Sequence, residues 1–338
     1  MKRISIKDIA NEAGVSISTV SFILNDKAAE MRISAEVEKR VKKLASDLGY
    51  QPSTLARGLR TGKTRTIGLI IEDISNSFFS AFAKVVETHA RKYKYKVIYC
   101  STDNSTERGR ELVQMLVSTH VDGFIITPAE NMEADILRLQ KLNIPTILFD
   151  RYLPQLPATC IMMDNKKASA DATQLLITKG YKKIAFVTHN MYQVQIEDRI
   201  NGYRETLIKN GLKINKKHFL SIQVAGGEHK ALVKTIESFI KEHPEIDAII
   251  FVNNLLGIIG IEAIKKMKKA VPEDIAIISF DDNDAFKLNS PAITVIEQPI
   301  HAMGVKVVDM LIHAIENKTS LPENHVIEEG KLIIRESQ

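Results

Sequence analysis

The chain has only two cysteines, Cys100 and Cys160, among 338 residues. They cannot build a disulfide framework and offer no CxxC pair for zinc, so the sequence reads as that of a protein of the reducing cytoplasm. Long hydrophobic runs are missing as well. The richest apolar stretch, Ile246 to Ile264, is broken by Asp247, Asn253, Asn254 and Glu262, and the opening MKRISIKDIANEAG has basic residues with no apolar segment behind them. Neither a membrane span nor a secretory signal is expected. Signatures of catalysis are absent too: there is no GxGxxG, P-loop or GxSxG, and none of the nine histidines falls into HExxH or another ligand spacing. Asp281-Asp282-Asn283-Asp284 is the most metal-like cluster. It fails as a calcium loop, because Phe286 and Ala292 stand where a glycine and a terminal acid are needed. No enzyme activity, metal or cofactor is expected.

What is present is enough apolar residue, 44%, to build two or three cored domains, and a lopsided charge. Residues 1–65 hold 13 Lys/Arg against 7 Asp/Glu, whereas the rest of the chain holds 33 against 34. The positive excess therefore lies in the first fifth. That suggests a small basic module for a polyanion joined to a near-neutral body with another task, the alternative being a basic helix face that merely meets water.

The basic segment has the pattern of two short helices separated by a tight turn. Ser5-Ile6-Lys7-Asp8 has the form of a capping box, Ile6, Ile9, Ala10 and Ala13 mark one helical face, and Gly14 can end the helix in a left-handed turn. Ser16 can cap a second helix in which Val20, Ile23 and Leu24 face inward and which Asn25 ends. This is the helix-turn-helix spacing, in which the second helix enters the major groove. A third helix, about Ala35 to Asp47 behind Ser34, buries Val37, Val41, Leu44 and Leu48 and leaves Lys39, Arg40, Lys42 and Lys43 for phosphates or solvent. Pro52 to Arg65 then carries Arg57, Arg60, Lys63 and Arg65 with no acid. A helix capped by Ser53 and reaching Leu59 would be about two turns long and marginal on its own.

IKDIANEAGVSISTVSFILN, followed by a third helix and LGYQPSTLARGLRTGKTRTIGLI, closely resembles the lactose-repressor (LacI/GalR) family of bacterial transcription regulators. The resemblance implies that Ile17, Ser18 and Phe22 read base edges, with Ser16, Thr19, Ser21 and Asn25 holding the DNA backbone or the helix ends. Phe22 stands where many members carry a guanine-gripping arginine, so an apolar contact to thymine methyls is expected instead, or else a core position. The resemblance also makes residues 53–59 a hinge helix that orders on DNA, with Leu59 as a minor-groove wedge and Ser53, Ala56 and Arg57 beside it.

From Thr66 onward short β-branched strands alternate with amphipathic helices about every 25 to 30 residues: TIGLII, KVIYCS, GFIITP and TILFD, then TCIMMD, KIAFVT, AIIFV and IAIISF. Repeated βαβ units mean parallel, doubly wound sheets, and their number suits two lobes, giving an α/β chain with a small all-α head. Ligands of such folds sit off the carboxyl ends of the strands. Those ends carry Asp73, Asp103, Asp150-Arg151, Asn253-Asn254, Asp281-Asp282 and Glu297-Gln298, a set of carboxylates, amides and arginine suited to hydroxyl groups.

The body as a whole is similar to periplasmic-type sugar-binding folds, the ribose-type members especially. That similarity implies an effector site of Asn76, Phe78, Phe79, Asp150, Arg151, Arg199, Asn253, Asp281 and Gln298. At two positions the chain departs from the family pattern: Ser77 replaces a common proline, and Asn254 stands where an acid is usual. Taken singly, Asp281 could be a helix cap, Asp150 with Arg151 a surface ion pair, and Phe79 core.

The expected organisation is a DNA-binding head at 1–49, a hinge at 50–65 and an effector core at 66–338. Within the core, one lobe spans about 66–161 and 297–325, the other about 162–296 and 326–338. The expected function is a homodimeric repressor on pseudo-palindromic double-stranded operator DNA, controlled by a small ligand, a sugar before a purine or a protein corepressor. Gln193 and Gln195 lie where a purine-responsive relative recognises its base, without its arginine and threonine chemistry. A free sugar-binding protein is disfavoured by residues 1–65. Ending at Gln338 soon after KLIIRES, the chain is not expected to form a tetramer through a heptad tail.

Overall fold

A computed structural model describes residues 4–50, 63–224 and 228–338. The hinge positions Ser53, Ala56, Arg57 and Leu59 lie outside the described residues. The chain divides into two units at Thr64 and Arg65, each considered by itself.

The first unit contains α1 (Ile6–Ala13), α2 (Ile17–Leu24) and α3 (Ala35–Asp47). The expected capping box forms: the Ser5 Oγ accepts from the Asp8 N–H at 3.3 Å, and the Asp8 carboxylate accepts from the Ser5 N–H at 2.8 Å. Gly14 closes α1 at φ +63°, a left-handed conformation open to a residue without Cβ. Ser16 starts α2 by accepting the Thr19 N–H at 3.0 Å. Ile9, Val20, Ile23 and Val41 are fully buried where the three helices meet, with Leu24, Val37, Leu44 and Leu48 packed around them. Each helix is too short to hold alone, so this shared core is what fixes the turn. One charge is placed differently from expectation. Lys42, read as free for phosphate or solvent, is exposed but ion-paired to Asp26 at 2.9 Å and Glu38 at 2.8 Å.

The second unit runs β1 (Thr66–Ile71), α4 (Ser77–Lys92), β2 (Lys96–Ser101), α5 (Thr106–Ser118), β3 (Gly123–Ile126), α6 (Glu133–Lys141), β4 (Thr146–Phe149) and β5 (Thr159–Met163). It continues with α7 (Asn165–Thr178), β6 (Ile184–His189), α8 (Val194–Lys209), β7 (Phe219–Ile222), α9 (His229–Glu242), β8 (Ala248–Phe251) and α10 (Asn254–Lys266). The last elements are β9 (Ala276–Phe280), α11 (Asp284–Leu288), β10 (Thr294–Glu297), α12 (Ile300–Asn317), β11 (His325–Glu328) and β12 (Lys331–Ile333). Two six-stranded sheets result, ordered β11-β5-β4-β3-β1-β2 and β12-β10-β9-β8-β6-β7. All neighbours are parallel except β10 and β12. Covered on both faces by helices, the central strands β3, β4, β8 and β9 are buried along their whole length, which is why they read as unbroken apolar runs.

Strand order reverses between β1 and β3 in one sheet and between β6 and β8 in the other, and crevices open at the carboxyl ends there. The lobe boundaries fall slightly off those expected. Because β5 continues to Met163, and β11 pairs with it through Val326–Glu328, residues 162–163 and 326–328 belong to the first lobe; Glu297 ends β10 in the second. Strand pairing, which sets these limits, has no local signature in the sequence.

Candidate functional site

In the first unit the exposed face of α2 starts with Ser16, Ile17 and Ser18; Ile17 leaves 48% of its surface in solvent, an uncommon position for isoleucine. Thr19, Ser21, Phe22 and Asn25 are half-buried. Ser16 and Thr19 bond to each other at 2.8 Å, and Asn25 Nδ2 donates to the Ser21 carbonyl at 2.6 Å, so these residues hold the ends of the helix. Among the described residues, Phe22 is not one of the side chains packed against the head's core. It is half-buried, whereas Ile17 and Ser18 are exposed.

In the second unit the strand ends converge on a polar centre. Arg151, which follows β4, is buried; it donates to Glu72, beyond β1, and to Asn104, beyond β2, the latter at 3.1 Å. Its Nε lies 3.7 Å from the Asp150 carboxylate and has no hydrogen-bond partner. Opposite, Gln195 at the start of α8 donates to Asp150 at 3.3 Å and to Gln193 at 3.0 Å, while Gln193 reaches Asn104 at 3.4 Å. Arg199, one turn further along α8, donates to Asn165 at 2.8 Å and to the Val252 carbonyl at 2.6 Å and lies 4.1 Å over the Phe280 ring. Gln298, between β10 and α12, donates to Asp281 at 2.6 Å. The side-chain oxygens of Gln195 and Gln298 have no partner.

Helix packing makes the Arg199 contact possible. A Cβ on Gly202, one turn after Arg199, would lie 2.2 Å from the Lys166 carbonyl, so only glycine lets α8 come close enough to α7 for Arg199 to reach Asn165.

Burial sets the electrostatics. Asp150 is pushed up to about 6 by burial, against the pull of Arg151 and Arg199. Asp281 is raised for the same reason, opposed by Arg199 and by the Gln298 hydrogen bond. Burial lowers Arg199 while Asp281 and Asp150 resist. His189, at the end of β6, is lowered to about 4 by burial, so it is neutral near pH 7 and its Nδ1 is unpartnered. The site thus offers buried acceptors, donors and open hydrogen-bond positions without a strong net field.

The structure brings Asp150, Arg151, Arg199, Asp281 and Gln298 into this centre. Asp150 with Arg151 is not a surface pair, and Asp281 is not a cap, since Asn283 caps α11. Phe78 and Phe79 are buried; their rings lie 4.9 Å apart, and Phe78 stacks on Phe149 at 5.9 Å. Phe78 also lines a cavity of about 490 Å3 together with Ser77, Asp281, Lys287, Gln298 and His301. Asn76 and Asn253 differ from expectation. The Asn76 side chain caps α4 through the Phe78 N–H at 3.0 Å, and that of Asn253 caps α10 through the Leu256 N–H at 3.0 Å. The buried residue at that strand end is Asn254. Glu72, Asn104, Asn165 and His189 were not singled out from the sequence. Two of them adjoin acids that were, so the strand-end rule located the neighbourhood and missed the residue. Among the described residues no group of His, Cys, Asp and Glu could hold a metal ion, and no helix is long and apolar enough to cross a membrane.

A helix-turn-helix unit joined to a two-lobed body with a polar crevice at its strand ends defines a ligand-responsive DNA-binding regulator. Residues 5–53 match the description of bacterial regulatory proteins of the lacI family, and residues 64–336 that of periplasmic binding proteins and the sugar binding domain of the LacI family. The chain is 34% identical over 337 residues to the HTH-type transcriptional regulator KdgR of Bacillus subtilis, covering 98% of this chain and 97% of that protein. It is 31% identical over 320 residues to the ribose operon repressor of Escherichia coli K12, covering 93% and 94%. Its fold matches the lac repressor dimer bound to operator and the anti-inducer ONPF with a TM-score of 0.83 at 20% identity, covering 99% of each chain. The chain belongs to the LacI family of transcriptional regulators and is not an enzyme.

Proposed function

We propose that this regulator is a sugar-responsive repressor that grips a pseudo-palindromic operator as a homodimer. Ile17, Ser18 and Phe22 read the major groove, Ser16, Thr19, Ser21 and Asn25 hold the backbone or helix ends, and Ser53, Ala56, Arg57 and Leu59 form the hinge. Its work on DNA places it in the cytoplasm. The effector occupies the crevice among Asp150, Arg151, Arg199, Asp281 and Gln298, beside Asn76, Phe78, Phe79 and Asn253.

The observation that carries the sugar reading is the set of open positions in this buried centre. Arg151 Nε needs an acceptor, and the Gln195 and Gln298 oxygens need donors. A hydroxyl supplies both from one atom, and a polyol supplies several at sugar spacing. Left unmade, such bonds cost roughly 1–3 kcal/mol each, so a ligand that completes them is favoured. Effector binding then shifts the lobes and with them the operator affinity; a coupling of about 2 kcal/mol is roughly thirtyfold.

The test is a thermal-shift screen against pentoses, hexoses, their phosphates, disaccharides and purines. A ligand at about 100 times its Kd stabilises by roughly 2.7 kcal/mol. A sugar hit that disappears in Arg199→Ala supports the reading; hits confined to purines refute it.

A further inference from the structure

Ser77 and Asn254 touch each other across the crevice. Asn254 Nδ2 donates to Ser77 Oγ at 2.9 Å and to Asn76 Oδ1 at 3.1 Å, and Asn76 Nδ2 returns a longer bond to Asn254 Oδ1 at 3.5 Å. Ser77 and Asn76 belong to the first lobe, at the start of α4; Asn254 opens α10 in the second. The Asn254 side chain is 4% exposed. Proline at 77 would have no hydroxyl to accept this bond, and alanine at 254 no amide to donate it.

We propose that Asn254 is a positioning residue that latches the two lobes together before any ligand arrives and ties the effector site to α4. The other bonds between the lobes, Gln195 to Asp150 and Gln193 to Asn104, are longer, at 3.3 and 3.4 Å, and use groups that a bound ligand would compete for. The latch is shorter and joins Asn254 to Ser77 and Asn76 instead of to Asp150 or Asn104. Its backbone N–H favours the ionised Asp281 carboxylate, so one residue bears on a ligand acceptor by its main chain and on the opposite lobe by its side chain. Asn254 thus joins the neighbourhood of Asp281 to the first turn of α4.

The purpose of the latch rests on the effector reading above, but the contact does not, so its test uses the ligand-free full-length protein. Amide hydrogen exchange is read in the first turns of α4 and α10 for the wild type, Ser77→Ala, Asn254→Ala and the double variant. Ser77→Ala is expected to speed exchange at the start of α10, in the other lobe, about fivefold, the effect of one ordinary hydrogen bond. Asn254→Ala, which removes every side-chain partner of Ser77 and Asn76 in the other lobe, is expected to do the same at the start of α4, and the double variant to add little to either. A residue with only a local role would loosen its own lobe alone. Changes confined to the mutated lobe, or single effects that simply add in the double variant, overturn the proposal. A failed ligand screen with reciprocal exchange would sink the sugar reading and leave the latch standing.

Discussion

Asp150→Asn should make the ligand-free protein more stable and leave it unable to respond to its effector. Asp150 is raised from its ordinary 3.8 to about 6 because burial penalises the carboxylate more than Arg151 and Arg199 reward it. The sign follows. Below about pH 4 the group is neutral whether the chain is folded or unfolded and costs nothing. Between about 4 and 6 the unfolded chain gives up its proton while the folded chain keeps it, and stability falls. Above about 6 the full penalty is present, about 3 kcal/mol for a shift of this size. Asparagine is neutral throughout and close in shape, so the variant should gain up to about 3 kcal/mol at pH 7 and nothing near pH 4. A sugar hydroxyl donates to the ionised form, so wild-type effector affinity should weaken about tenfold per pH unit below about 6. Urea denaturation of both proteins from pH 4 to 8, with thermal shifts for the effector, reads every part of this. An Asp150→Asn protein less stable than the wild type at pH 7, or a difference that persists at pH 4, would refute the argument.

Three other outcomes follow from the same site and the head. Arg199→Ala removes the bonds to Asn165 and the Val252 carbonyl and the charge beside Asp150 and Asp281, at a cost of roughly 3–5 kcal/mol for a buried network that loses one partner. It should bind operator in gel-shift titrations but ignore the effector; loss of DNA binding in a folded, ligand-free variant counts against the assignment. Gly202→Ala puts a methyl against the Lys166 carbonyl, costing about 1–3 kcal/mol in chemical denaturation, and should weaken effector response more than operator binding. Leu59→Ala should weaken operator binding far more than binding to random DNA, and equal losses on both would exclude a minor-groove wedge.

Much of the molecule was legible in its residues because the signals are local. Ser5 with Asp8, Gly14, Ser16 and Ser34 each act within one turn of chain, so the caps and helix limits of the head follow from spacing alone. The buried strands GFII and AIIF are continuous apolar runs since both faces are covered, and their regular alternation with helices gives two parallel sheets. The strand-end rule pointed to Asp150, Arg151 and Asp281, which the fold buries in one polar centre.

The sequence by itself determined the two-part organisation, the class of each part and the region of each site, because caps, periodicity and charge balance are properties of neighbours along the chain. The tertiary structure decided which of two adjacent polar residues does the work. Beyond the ends of β1, β2, β8 and β9, Glu72, Asn104, Asn254 and Asp281 enter the crevice. Their neighbours are occupied elsewhere: Asp73 folds back on Ser75, Asp103 pairs with Arg108, Asn253 caps α10, and Asp282 grips Arg335. These residues lie past the ends of their strands, with Asp103, Asn104 and Asp281 in left-handed turns at φ 51°, 57° and 66° and Asn254 opening α10, so the turn after each strand sets which neighbour faces inward. Which side is buried depends on the partner strand and on helices distant in sequence. Only the folded chain brings those together.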